Sequence, residues 1–176
     1  MDAATEKKPI APFVAVLAGL QAGMLGACWM LFSVGMISVW QRRSFWTPEN
    51  LMASFFYGNS AIHQGFAFST ASGLALYLLI YSALGAAFAA VMSNRLTRTR
   101  LLLISLVFAV AWYYLSFRVI WRAVSPLITL LHVEQSTLLG HLIYGALLSR
   151  YPAYMEEKPA ASAAPQVRET EPAPPA

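Results

Sequence analysis

Seven ionisable side chains carry the types that do chemistry: Glu49, His63, Arg118, Arg122, His132, Glu134 and His141. Histidine and glutamate can pass protons or hold a metal, and an arginine pair can clamp an anion. Their spacing narrows the choice. His132 and His141 are nine residues apart, about 900° of rotation, so on one continuous helix they take opposite faces and cannot share a metal. His63 with His141 stays open as a pair, but no zinc or di-iron spacing is present, and the identity of any cofactor is undetermined. An interhelical hydrogen bond is the favoured role for His141, set between Gly140 and Leu142. Arg118 and Arg122 share a helix face, where lipid headgroups or Glu134 are the ordinary partners and a substrate anion the sharper one. Phosphate loops, nucleophile triads, paired catalytic carboxylates and HExxH are missing from the sequence, so no catalytic residue is assigned and a non-enzymatic role is expected.

The elements that must position these groups are apolar. Pro12 to Trp40 runs 29 residues without a charge; as a helix that is about 44 Å, longer than the ~30 Å hydrocarbon core. The whole chain of 176 residues is 58% hydrophobic and 11% charged, against about 25% charged for soluble domains. Lipid is the expected solvent. The net charge of +4 falls in twos and threes beside apolar runs, which reads as topology and excludes a nucleic-acid stripe. Small residues recur at Gly19, Gly23 and Ala27, and again at Ser82, Ala86 and Ala90. Such stripes let helix backbones approach in lipid. Gln21 is expected to bond across helices.

The single cysteine, Cys28, excludes an intrachain disulfide. Leu25-Gly26-Ala27-Cys28 has the form of a lipoprotein-processing box. The apolar WMLFSVGMISVW that follows argues for packing, and whether Cys28 is lipidated stays open.

In chain order, 1–11 is a polar cytoplasmic lead and 12–40 the first span. Thr47-Pro48-Glu49 starts a surface helix over 48–57, with Thr47 as cap and Leu51, Met52, Phe55 and Phe56 facing the membrane. Further spans are expected at 67–91, 101–121 and 132–150, with a second surface helix at 126–131 behind Ser125-Pro126. The membrane domain thus covers 12–151. Residues 152–176 hold six of the ten prolines and read as a disordered cytoplasmic tail. Trp112, Tyr113 and Tyr114 pack between spans or line a quinone or lipid cleft. Leu79-Ile80-Tyr81-Ser82-Ala83-Leu84 is echoed by Leu142-Ile143-Tyr144-Gly145-Ala146-Leu147, each behind a tryptophan, arginine and proline. A span, surface helix, span unit used twice gives that order, and so does chance in a restricted alphabet.

Lysines and arginines set the orientation. Eight (Lys7, Lys8, Arg95, Arg98, Arg100, Arg150, Lys158, Arg168) lie inside if both termini are cytoplasmic, against four outside (Arg42, Arg43, Arg118, Arg122). Trp40, Trp46 and Trp121 then form an outer aromatic belt.

Gly140-His141-Leu142-Ile143-Tyr144, behind His132-Val133-Glu134-Gln135-Ser136, resembles the YagU-type bacterial inner-membrane family. The resemblance covers the last third of the chain and implies a four-span protein without assigning an activity. Phe45-Trp46-Thr47-Pro48-Glu49-Asn50-Leu51 looks like a feature of other bacterial four-span proteins. The expected fold is an all-α membrane protein of four transmembrane and two interfacial helices in a bacterial inner membrane. For function, an accessory or scaffold subunit packing on a larger membrane complex or on itself comes first. A small transporter or channel using the outer ionisable cluster comes second, and a haem- or quinone-binding redox subunit third. The bilayer and a membrane-protein partner or second copy are the expected partners, with no nucleic acid.

Overall fold

Helix α1 (Pro12–Trp40) is continuous, as its uncharged run dictates. It stops in a Schellman motif: Arg42 N–H bonds Val39 O at 3.0 Å, Arg43 N–H bonds Ser38 O at 2.9 Å, and Arg42 takes the left-handed position at φ 63. After it come α2 (Thr47–Tyr57), a 3₁₀ turn (Gly58–Ala61) and α3 (Phe68–Val91). Then α4 (Arg98–Leu115), a π turn (Ser116–Ile120) and α5 (Trp121–Val124) form one rod. The chain ends in α6 (Pro126–Leu131), α7 (Glu134–Leu148) and α8 (Tyr151–Met155). The computed structural model describes residues 12–92 and 96–155. The expected lead 1–11, Arg95 and the tail beyond 155 lie outside them, while 152–155 of that expected tail are helical.

Every described element is helical, and three rods, Pro12–Trp40, Phe68–Val91 and Arg98–Val124, are long and apolar enough to cross a membrane. Only 28% of the most apolar part of each of the latter two is buried inside the chain. The rest of their apolar surface faces outward, as in a lipid solvent. The expected fourth span is 15 residues, Glu134–Leu148, about 22 Å of helix and shorter than the hydrocarbon core. Polar Glu134 to Thr137 form its first turn, and His132 lies before it.

The rods pack antiparallel. α1 lies against α3 and α7, and α7 also against α4. Side-chain-free surface sets the closest approach: a Cβ on Gly19 would overlap Ala89 Cβ and Gly85 O, and one on Gly23 would sit 3.1 Å from Gly85 Cα. Gly19, Gly23 and Ala27 are therefore all buried within the chain. On α3 the contact stripe is Tyr81, Gly85 and Ala89. The expected stripe is rotated from it: Ser82 and Ala86 are half-buried at its edge, and Ala90 is exposed. One residue is about 100° of rotation, so alanines on adjacent faces mislead a pattern read without the partner helix.

Helix α2 departs most from expectation. Pro48 starts it, but Thr47 does not cap it; the Thr47 hydroxyl donates to Ser44 O at 2.6 Å. Leu51 and Met52 turn inward with Glu49, Asn50 and Ser54, whereas Phe55 and Phe56 are exposed. A Cβ on Gly73 of α3 would overlap Glu49 O, so the two backbones touch. Asn50 pins the joint, donating through Nδ2 to Gln64 O at 2.7 Å and accepting from the Thr70 hydroxyl at 2.6 Å. Trp121 is also not in a belt: it is 8% exposed and belongs to the core, while Trp40 stands exposed.

Candidate functional site

Two polar features occupy the half of the bundle where α1 ends and α7 begins. The first is buried. His141 is 0% exposed on α7, and its Nδ1 lies 2.7 Å from Thr137 O. A carbonyl only accepts, so Nδ1 carries a hydrogen, and in the neutral ring Nε2 offers a lone pair. The Tyr81 hydroxyl donates to that nitrogen at 2.8 Å. Tyr81 stacks on Tyr77 at 4.6 Å, and Tyr77 donates to Met30 Sδ at 3.3 Å. Tyr144 donates to Tyr81 O at 2.8 Å. Both His141 nitrogens are thus engaged, which leaves it no lone pair for a metal or haem iron.

The second feature is open. Where the π turn widens the α4–α5 rod, Tyr113, Phe117, Arg118 and Arg122 face α6 and the start of α7 across a pocket of about 430 Å³. Opposite them are Pro126, Thr129, Leu130, His132 and Glu134. π turns often mark functional positions because the extra residue re-aims side chains. Arg118 and Glu134 approach to 3.8 Å with side chains 70% and 63% exposed. Such a pair holds little energy and leaves the arginine available. Arg122 has no ion pair among the described residues. Thr129 Oγ1 is buried without a hydrogen-bond partner.

His132 forms the floor. Its Nδ1 donates to Thr129 O at 2.6 Å, and its ring stacks on Phe117 at 4.2 Å. Beyond that stack is a narrower cleft of about 50 Å³, lined among others by Ser38, Arg43, Thr47, Tyr77, Ser136 and Thr137. His132 precedes α7 and so does not share one continuous helix with His141, and instead of taking opposite faces both rings contact Phe117 and Tyr113.

Four of the seven candidate residues, Arg118, Arg122, His132 and Glu134, therefore line one pocket. His141 lies beneath it, His63 is exposed on the loop before α3, and Glu49 is elsewhere, 3% exposed under α3. Glu49 Oε2 has no partner, and burial pushes its carboxyl up to about 7, partly offset by its own backbone N–H. Gln21 is exposed rather than bridging helices. No group of three or more His, Cys, Asp or Glu side chains is placed to hold a metal among the described residues. Comparison with protein-family models, curated proteins and solved structures found no match.

Sequence reasoning missed Tyr77, Tyr81, Tyr144, Met30 and Thr129. A signal existed for two of them: Tyr81 and Tyr144 hold the same place in the Leu-Ile-Tyr echo.

Proposed function

We propose that this is a multi-pass membrane protein that binds an anion in the pocket between α5, α6 and the start of α7. The observation that carries this reading is the convergence of Arg118, Arg122, His132 and Glu134 on one cavity. Two permanent cations face one carboxylate there, so the pocket is net positive, and guanidinium forks match phosphate or carboxylate oxygens. In this reading α7 is a fourth crossing, both termini are cytoplasmic and the membrane is a bacterial inner membrane. The lysine and arginine bias of eight to four supports the orientation, and the YagU-type resemblance fits the same placement. A duplicated span, surface helix, span unit belongs to it too, supported by Tyr81 and Tyr144 meeting at 5.0 Å between ring centroids.

Binding is favoured over conduction. Below the pocket the interior is filled by Tyr144, Leu148 and Tyr151, all 0% exposed. The scaffold reading keeps part of its support: α3 occupies the glycine stripe of α1, whereas the stripe of Ser82, Ala86 and Ala90 is half-buried to exposed.

The test is native mass spectrometry of protein purified in a neutral detergent, comparing wild type with the double variant Arg118→Gln, Arg122→Gln. Wild type should retain an anionic adduct that the variant lacks. Identical adduct patterns in the two would remove the reading.

A further inference from the structure

The pocket mixes charge with grease in a way a site for a soluble anion does not need. Leu130, one of its lining residues, is 79% exposed. In water that exposure is unfavourable; against an acyl chain it is neutral. Pro126 and Leu130 are the exposed apolar part of the lining, with Tyr113 and Phe117 buried behind it, while Arg118 and Arg122 stand exposed at the rim. Two guanidinium forks offer more donors than the two oxygens of a single carboxylate use, and they suit phosphate.

We propose, resting on the anion-binding reading above, that the occupant is a phosphate-bearing amphiphile drawn from the bilayer. Its head lies between Arg118 and Arg122, and its chain leaves over Pro126 and Leu130 into lipid. The stacked Phe117–His132 pair closes the floor and keeps the chain out of the narrow cleft beneath.

The experiment is calorimetric titration of the full chain in maltoside micelles with two probes, dodecyl phosphate and inorganic phosphate. The Arg118→Gln, Arg122→Gln double variant supplies the micelle-partitioning background to be subtracted. Dodecyl phosphate should bind at least tenfold more tightly than inorganic phosphate. Leu130→Asn should narrow that ratio at least threefold while leaving the affinity for inorganic phosphate unchanged. Leu130→Ser is the second variant, and monodispersity and far-ultraviolet dichroism verify the fold of each. Equal affinity for the two probes, or a ratio untouched by both Leu130 variants, overturns the amphiphile and leaves an anion site. If neither probe binds above the double-variant background, the anion-binding reading falls with it.

Discussion

The Tyr81 hydroxyl donates a 2.8 Å hydrogen bond to His141 Nε2, joining α3 to α7 where neither touches water. Replacing Tyr81 with Phe leaves that buried nitrogen without a donor. The expected loss is about 1–2 kcal/mol, the upper range for interhelical hydrogen bonds in membrane bundles. Tyr144→Phe should cost less, because Tyr81 O keeps its place in the α3 ladder. Unfolding in a denaturing detergent measures both, and equal losses would show that the acceptor does not matter.

Gly23 and Ala90 separate packing from composition. Gly23→Leu pushes a side chain into the α3 backbone at Gly85 and Ser82 and should destabilise by about 2 kcal/mol or more. Ala90→Leu points outward and should stay within ~0.5 kcal/mol. Steric-trapping or detergent unfolding curves give the comparison; similar effects at the two sites contradict the observed face of α3.

Glu49 makes stability fall with rising pH. Its folded carboxyl titrates near 7 and the unfolded reference is 4.5, so the folded state holds the proton more tightly. Its contribution is full below pH 4.5 and lost as pH rises through 7, in all about 3 kcal/mol at ~1.4 kcal/mol per pH unit. Glu49→Gln should flatten that slope in unfolding titrations between pH 4 and 8. A wild-type slope that survives the substitution assigns the effect to another group.

Glu134 stands opposite the arginines without holding them tightly. Glu134→Gln should change stability by less than ~0.5 kcal/mol, as expected for an exposed pair. It should also tighten dodecyl phosphate binding severalfold by removing the one carboxylate of the pocket. Weaker binding would mean that Glu134 orients Arg118 for the ligand.

Orientation is accessible to labelling in a Cys28→Ser background. Ser44→Cys, between α1 and α2, should react with a membrane-impermeant maleimide on intact cells, and Ser149→Cys, after α7, only after lysis. Labelling of both from outside would put the ends of α7 on one side and exclude it as a crossing.

Much of the backbone was legible because its causes are local. An uncharged run of 29 residues makes a rod long and apolar enough to cross a membrane, and Pro48 and Pro126 start helices because a missing N–H is harmless in the first turn. The echo carrying Tyr81 and Tyr144 was visible in one dimension; that the two rings meet was not. The pocket was legible only as ingredients. Arg118 and Arg122 sit on the α4–α5 rod and His132 and Glu134 at the junction of α6 and α7, and the fold-back at Ser125-Pro126 is held by packing of α6 on α5 and α2 and of α7 on α1 and α4.

The sequence by itself determined the apolar character, the long rods and the helix starts, since hydrophobicity and proline geometry act over a few residues. Tertiary structure alone decided which face of α3 meets α1, that α2 and Trp121 turn inward, and that four scattered polar side chains line one cavity. Contacts between residues distant in the chain depend on how rods rotate and pack against one another, and a rotation of one residue exchanges a buried face for an exposed one.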